Sequence, residues 1–239
     1  MYKRQISAQV GDSHDTVREK LAKAMRTEKG LISILGVTAF VNFFFFSSTP
    51  LLQVVGGKFN VGPALLGLLA AMLGIGMFAG SLGVAHFQPR RRGLLYVSGS
   101  YIAFGFMTGF ALAPWYAASA VFLALAAVGM GFFGSTQAIL VMDSVSEERR
   151  GRALGLLSSA IGMLPLGMLL VGEIAEVFGA SRAITLSVLS GALLMTFFLR
   201  LRPEASYLSQ RPRSPVIEIV EEQDLPADRR PEVFNLKPL

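Results

Sequence analysis

The stretch Asn42–Pro50, "NFFFFSSTP", lies inside a run from Gly30 to Gly57 that contains no charged residue. Four consecutive phenylalanines sweep about 300° around a helix, so they cannot all point into one water-soluble core. A run of this length can cross the hydrocarbon layer of a bilayer. The stretch therefore predicts a membrane helix. It also raises the question of why an amide precedes the phenylalanines and three hydroxyls and a proline follow them.

The composition of the whole chain extends this prediction. Of 239 residues, 52% are hydrophobic and 16% are charged, whereas soluble domains are about 25% charged. Cysteine is absent, which excludes disulfides, thiolate chemistry and cysteine-based metal sites. We interpret the formal net charge of +6 as anchoring beside lipid rather than as a nucleic-acid surface. The sequence thus predicts an all-α membrane protein with the lipid bilayer as a partner and no nucleic acid.

The spacing of charge-free runs predicts six crossings. A helix needs about 20 apolar residues to cross the hydrocarbon. The longest run, Gly93–Met142, has room for two helices, and Ala113-Pro114-Trp115 provides the break between them. The predicted helices cover roughly residues 30–56, 61–87, 93–112, 115–142, 152–178 and 182–200.

The distribution of lysine and arginine predicts the orientation. With six crossings, only Lys58 and Arg182 of the 22 basic residues fall on one side. Because basic loops stay in the cytoplasm, both termini are expected on the cytoplasmic side. The predicted location of the protein is the inner membrane of the cell. The predicted organisation is a cytoplasmic amphipathic segment over residues 1–29, a transmembrane domain over 30–200 and a disordered cytoplasmic tail over 201–239. A plain solvated connector is the alternative for the first segment.

An internal repeat divides the transmembrane domain. The second and fifth predicted helices both contain Gly-Leu-Leu, four further residues and a glycine, beginning at Gly67 and at Gly155. The two helices run in opposite directions, which predicts two inverted three-helix repeats, an arrangement common in secondary transporters. Spaced glycine pairs also predict close helix packing, and they are Gly76 with Gly80, Gly105 with Gly109, and Gly151 with Gly155.

Polar residues in the first and fourth helices are candidates for a substrate cavity. Asn42 lies near the middle of its helix and should face protein or a watery cavity. Pro50 leaves the Phe46 carbonyl without its usual donor, and the hydroxyls of residues 47–49 can return hydrogen bonds to the loosened backbone. This bend could gate a transport path, or it could only shape the bundle. The candidate cavity residues are Thr38, Asn42, Ser135 and Gln137, and interhelical hydrogen bonding is the alternative for the last two.

Charged residues supply two further candidate sites. We expect a gate at the basic end of the bundle, and its candidate residues are Arg90, Arg91, Arg92, Asp143, Glu147, Arg149 and Arg152. The alternative for these residues is a topological anchor with compensating charges. Glu173 and Glu176 lie three residues apart on one helical face and are candidates for proton coupling. However, Glu173 is about 30 Å along the helix from Arg152, which places it near the outer interface.

Two segments carry a resemblance to a known family. One region resembles the connection between the tenth and eleventh helices of major facilitator superfamily transporters, in particular the efflux branch that includes the enterobactin exporter. It reads Asp143-x-Val145-x-Glu147-x-x-x-Gly151-Arg152-x-x-Gly155-Leu156. A second segment, "GVAHFQPRRRG" from Gly83 to Gly93, is similar to the basic loop after the family's eighth helix. Ser146 replaces a proline that members often have, and His86-Phe87 stands where the family's loop begins with an acidic residue.

The resemblance implies a fold and a function. It covers about residues 15–200 and implies the C-terminal half of a twelve-helix fold, with the first and fourth helices lining the cavity and the third and sixth facing lipid. The implied function is secondary active export of a small amphipathic molecule. Such transport needs a second six-helix half, which could be another chain, a missing N-terminal half or a second copy. The alternative is a non-transporting, truncated membrane protein with a regulatory or scaffold role.

Other function classes lack their required residues. Glu147-Glu148-x-x-x-Arg152 fits a pattern seen in one class of intramembrane proteases, but the two histidines, His14 and His86, lie outside the apolar spans. The sequence contains no zinc-protease motif and no phosphate-binding loop of ATP-driven transporters. We therefore expect no enzymatic activity, no cofactor and no metal.

Overall fold

The computed structural model describes residues 29–87 and 89–207. Six helices in this part of the chain are long and apolar enough to span a membrane, and they are Lys29–Gly57 (α1), Pro63–Phe87 (α2), Arg92–Leu112 (α3), Tyr116–Asp143 (α4), Glu147–Phe178 (α5) and Ala180–Leu201 (α6). A short helix, Glu204–Tyr207 (α7), follows. The described residues contain no strand. The predicted all-α, six-helix architecture is confirmed, and the predictions for residues 1–28 and 208–239 lie outside the described residues.

The helix boundaries follow local chemistry. The predicted break between α3 and α4 is present, because Ala113 leaves the helical region at ψ 134° and Trp115 is extended. The fifth helix begins earlier than predicted, with a 3₁₀ turn over Glu147–Arg149 that follows the extended residue Ser146. It consists of two α-helical segments, Arg150–Ile161 and Leu164–Phe178, and Pro165 lies in the first turn of the second, where its missing N–H costs little.

The first helix changes its winding at the phenylalanine run. Residues 29–40 are α-helical, Val41–Phe45 form a π turn, Phe46–Ser48 form a 3₁₀ turn, and Leu51–Gly57 are α-helical again. Pro50 immediately precedes the last segment. Kinks and winding defects arise where a proline removes a backbone donor. The predicted bend of this helix is therefore present as a combined π and 3₁₀ distortion.

The phenylalanines of the opening stretch have different neighbours. Phe45 is fully buried, and its ring centroid lies 6.4 Å from that of Phe104 in α3. Phe44 contacts α6, where a Cβ added to Gly191 would lie 2.5 Å from the Phe44 Cβ. Phe43 contacts α5, since its carbonyl oxygen abuts Gly167. The run thus contacts several helices at once, which explains why four phenylalanines can follow one another there.

The first helix of each predicted repeat packs against helices of the other repeat, as expected for a pair of inverted repeats. The first helix of the second repeat, α4, packs against α2 and α3, and the first helix of the first repeat, α1, packs against α5 and α6. The third helices of the two repeats, α3 and α6, also meet, and the Tyr101 hydroxyl lies 2.7 Å from Thr196 Oγ1. The structure therefore agrees with the predicted pair of three-helix units.

Glycines determine how closely α2 approaches α4. A Cβ on Gly76 would lie 2.3 Å from the Ala124 carbonyl oxygen, and a Cβ on Gly80 would lie 2.3 Å from that of Val128. Only glycine permits backbones to pack this closely. Gly151 and Gly155, by contrast, have no such neighbour within 4 Å in the described chain. The predicted close packing is confirmed for the first glycine pair and does not occur for the pair in α5.

The helices α2 and α5 are the most exposed spans. Only 17% of an apolar 18-residue stretch of each is buried, against 56% of the corresponding stretch of α1. The glycines that open the repeated motif, Gly67 and Gly155, lie on these exposed surfaces, and a Cβ added to either would meet no described atom within 4 Å. Both motif-bearing helices therefore present uncovered faces.

The fold continues beyond the predicted end of the transmembrane domain at residue 200. The Ser33 hydroxyl donates to the Arg202 carbonyl over 2.7 Å and accepts the Ala205 N–H over 3.1 Å. Ala205 is fully buried, and α7 packs against α3. Residues 201–207, which the sequence placed in the tail, are thus attached to one end of the bundle. We call it the Arg-rich end, because it contains Arg90–Arg92, Arg149–Arg152 and Arg200–Arg202.

Candidate functional site

Asn42 lies in the π turn of α1 and is 5% exposed. Its side-chain amide donates to the Thr38 carbonyl over 2.9 Å. Three hydroxyls further along the helix also donate to backbone carbonyls of α1. Ser47 donates to the Phe43 carbonyl, Ser48 to that of Phe44, and Thr49 Oγ1 to that of Phe46 over 2.7 Å. The prediction that side chains return hydrogen bonds to the loosened backbone is confirmed.

A chain of hydrogen bonds joins α1 to α3 and α4. Gln137 Nε2 donates to Thr38 Oγ1 over 2.9 Å, Thr38 Oγ1 lies 2.8 Å from the Tyr96 hydroxyl, and that hydroxyl donates to the Ile34 carbonyl over 3.0 Å. A carbonyl can only accept, so the proton of Tyr96 is committed to Ile34. Thr38 must therefore donate to Tyr96. We call Gln137, Thr38, Tyr96 and the Ile34 carbonyl the polar chain.

Tyr96 is the central residue of the polar chain, and sequence reasoning missed it. It is fully buried, and its ring stacks on that of Phe133 with centroids 4.9 Å apart. The resemblance implied that the third helix faces lipid, but α3 buries one face that includes Tyr96, Ser100 and Phe104. Tyr96 lies one turn after Arg92, so the polar chain is near the Arg-rich end of the bundle.

The side chains of the polar chain satisfy one another's hydrogen bonds in this conformation. Thr38 is fully buried, its proton is committed to Tyr96, and it accepts from Gln137. Buried polar groups that share partners in this way are costly to separate unless new partners replace the old. A ligand with hydrogen-bonding groups could supply such partners. Thr38, Asn42 and Gln137, three of the four predicted cavity residues, therefore lie together.

Ser135, the fourth, lies elsewhere. Positions 135 and 137 are about 200° apart around a helix, so their side chains leave α4 on nearly opposite sides. Ser135 lines a cavity of about 450 Å³ between the ends of α2 and α4 and the start of α3. The lining residues are Ser81, Val84, Ala85, Pro89, Arg92, Ser135, Thr136 and Ile139. We call this the Arg92 cavity.

The predicted gate residues cluster around the same end of the bundle. Arg92 Nη1 lies 3.8 Å from Asp143 Oδ2, which connects the start of α3 with the end of α4. Arg150, which was not predicted, lies 3.2 Å from Glu147 within α5. The remaining predicted residues, Arg90, Arg91, Arg149 and Arg152, lie at this end.

The predicted coupling residues lie apart from both sites. Glu173 and Glu176 are on the second segment of α5, near the end opposite Arg150 and Arg152. Neither has an ion pair or hydrogen bond with another described residue. At the same end of the bundle, Lys58 Nζ donates to the Ala111 carbonyl over 3.1 Å. Within residues 29–87 and 89–207, no group of three acidic or histidine side chains could hold a metal ion.

Comparison with known proteins agrees with this architecture. The sequence model of the Major Facilitator Superfamily matches residues 31–235, which is most of the chain. A search of curated proteins found no match. Members of the family are transporters rather than enzymes, in agreement with the prediction of a non-enzyme. With its six apolar helices, the chain is a multi-pass membrane protein of the transporter type, and it belongs to the Major Facilitator Superfamily.

Proposed function

We propose that the chain forms one half of a secondary active transporter that exports a small amphipathic molecule across the inner membrane. The observation that carries the proposal is the polar chain, which joins three helices at a buried position beside the π turn of α1. Polar side chains within membrane helices are rare, face the bundle interior or a cavity, and commonly mark transport paths. The export direction rests on the resemblance to the efflux branch.

The substrate contacts are Thr38, Asn42 and Gln137, with Tyr96 as the residue that positions them. In the closed state these groups satisfy one another. A substrate with a hydrogen-bonding group replaces the Gln137–Thr38 bond, and the phenylalanines of the π turn contact its apolar part. Exchange of one set of partners for another gives the substrate different affinities for the two states, which is what a ligand needs to shift a conformational equilibrium. Ser135 does not belong to this set.

The gate lies on the cytoplasmic side, together with both termini. Its centre is the pair Arg92–Asp143, and a separation of 3.8 Å between partly exposed groups makes it a weak and easily broken contact. The other members are Arg90, Arg91, Glu147, Arg149 and Arg152. We propose that the ion pairs form in one state and separate in the other. Glu173 and Glu176, on the outer side, are the candidates for proton coupling.

A second six-helix half completes the transporter. The exposed faces of α2 and α5 support this proposal because they contain the repeated glycine motifs and are the least buried spans. Alternating access requires two units that move against each other around a shared site. The second half contacts these two faces.

The test is transport by purified protein in proteoliposomes. The chain is reconstituted alone and together with a six-helix half of the same superfamily, and flux of a panel of amphipathic compounds is measured under an imposed proton gradient. We expect gradient-driven flux that Gln137→Ala lowers without reducing the amount of inserted protein. Absence of flux in both preparations would favour the non-transporting alternative.

A further inference from the structure

We propose that the substrate is an uncharged molecule whose polar group both donates and accepts a hydrogen bond, as a secondary amide does, and that this group inserts between Gln137 and Thr38. This assignment rests on the proposed function and names the class of substrate for the same site. It follows from the direction of each hydrogen bond in the polar chain, because a donor can be replaced only by another donor.

The bond directions determine what Thr38 offers to a ligand. The Tyr96 hydroxyl donates to the Ile34 carbonyl, so Thr38 donates to Tyr96 and can only accept from a further partner. Gln137 Nε2 is that partner in this conformation, at a distance of 2.9 Å from Thr38 Oγ1. A group that takes the place of Gln137 beside Thr38 Oγ1 must therefore donate a hydrogen bond, as Gln137 does.

Gln137 requires the opposite of its ligand. When its amide moves away from Thr38, Nε2 keeps an N–H that needs an acceptor, because an unpaired donor inside the bundle is costly. A secondary amide meets both requirements, since its N–H donates to Thr38 Oγ1 and its carbonyl accepts from Gln137 Nε2. The insertion exchanges one hydrogen bond of the polar chain for two and leaves none of its donors without a partner.

A ligand reaches the polar chain at Gln137, which is half-buried, whereas Thr38 and Tyr96 are fully buried. The amide nitrogens of Asn42 and Gln137 both bond to Thr38, and no described donor reaches the oxygen of either amide. Both oxygens keep some open surface, because Glu204 Oε2 is the one fully buried, unpartnered side-chain oxygen or nitrogen among the described residues that are not exposed. Two acceptor atoms thus add to the preference of the site for donors.

The polar chain has no charged member, which disfavours ionic ligands. An anion would accept from Gln137 but could not donate to Thr38, and a quaternary ammonium could do neither. A primary ammonium would donate to Thr38 but would leave Gln137 Nε2 without an acceptor. The burial of either charge without an opposite charge beside it is also costly. Arg92, the one charged residue of α3, is already paired with Asp143.

Binding of a matched series of phenylbutyl compounds to the full chain in detergent tests the proposal. The N-methylamide of phenylbutyric acid donates and accepts, and the methyl ester has the same size but an oxygen in place of the N–H. Phenylbutyrate and phenylbutylammonium are the two ions. Calorimetric titration gives each affinity after subtraction of partition into protein-free micelles. We expect the amide to bind about tenfold more tightly than the ester, which cannot donate to Thr38, and more tightly than either ion.

Thr38→Val should abolish the preference for the amide over the ester, because it removes the acceptor that distinguishes them. Thr108→Val, whose hydroxyl bonds only within α3, is the matched control and should keep the preference. The comparison in the parent chain needs no variant, so it remains decisive if Thr38→Val does not fold.

Four results would overturn the proposal: equal affinities of amide and ester in the parent chain, tighter binding of either ion, a preference that survives Thr38→Val, or no binding by any of the compounds. These titrations do not measure flux. Gradient-driven transport without a preference for the amide would remove this substrate class and keep the proposed function. The preference without transport would keep the binding site and remove the transporter.

Discussion

The side-chain amide of Gln137 donates to the hydroxyl of Thr38 over 2.9 Å, although the two residues are separated by 99 positions in sequence. This bond joins the first helices of the two three-helix units. It is also the terminal bond of the polar chain, since Gln137 donates to Thr38 and Thr38 in turn donates a hydrogen bond to Tyr96. Loss of Thr38 therefore separates Gln137 and Tyr96 from their common partner.

Thr38→Val should lower the stability of the bundle by about 1–2 kcal/mol, because it removes two interhelical hydrogen bonds without changing side-chain volume. Thermal unfolding in detergent measures the change. The matched control is Thr108→Val in α3, where the hydroxyl bonds only to the Phe104 carbonyl of its own helix. Equal destabilisation by both variants would contradict an interhelical role for Thr38.

Tyr96→Phe should reduce transport while leaving most of the packing intact. The phenyl ring keeps its stacking on Phe133, but Ile34 loses its donor and Thr38 loses its acceptor. We expect flux in proteoliposomes to fall about tenfold if both bonds contribute to the substrate-bound state. Tyr116→Phe, which removes a hydroxyl that donates to the Leu65 carbonyl at the other end of the bundle, is the comparison. A larger loss with that variant would exclude Tyr96 as a positioning residue.

Asn42→Leu should lower transport without preventing insertion. Leucine has the same branching and the same number of side-chain heavy atoms as asparagine but cannot donate to the Thr38 carbonyl or to a substrate. Flux is measured in reconstituted vesicles, with Gln53→Leu as control because Gln53 is an exposed amide in the same helix. Unchanged flux in the Asn42 variant would remove this residue from the substrate site.

Gly80→Ala should destabilise the bundle by about 1–3 kcal/mol. The added methyl would lie 2.3 Å from the Val128 carbonyl oxygen, so α2 and α4 would have to separate. Gly67→Ala, in the same helix, meets no atom within 4 Å and should be neutral or slightly stabilising in the isolated chain. Unfolding midpoints of the two variants give the comparison. Similar midpoints would show that the close approach at Gly80 contributes little to stability.

Asp143→Asn should loosen the Arg-rich end of the bundle, because it removes the charge opposite Arg92. The chain has no cysteine, so a single cysteine introduced in place of the buried Thr136 reports access by its rate of maleimide labelling. We expect faster labelling in the Asn variant and no change with Glu148→Gln, an exposed acidic neighbour.

In the same assay, Arg152→Ala should slow interconversion of the two states. Labelling rates equal to the parent would contradict these gate roles.

The sequence predicted the six helices and the bend in α1, because apolar length and proline chemistry act locally. It also placed Asn42 in a polar environment, since an amide at membrane depth needs a partner. Which partner it finds depends on how each helix is rotated about its axis, and one helix alone does not determine that rotation. Ser135 and Gln137 were grouped for this reason, although their side chains diverge around α4. Tyr96 was missed because a tyrosine in an apolar span resembles an interfacial aromatic.

The π turn of α1 has a mechanical consequence. A π turn accommodates one residue more than an α turn over the same length, and each residue of an α-helix turns the chain by about 100°. If Val41–Phe45 tightened to α geometry, everything beyond it would rotate by roughly that angle relative to residues 29–40. Phe45 would leave Phe104, and Phe44 would leave Gly191. A change of one residue in the winding of α1 would thereby move the phenylalanines from one neighbouring helix to another.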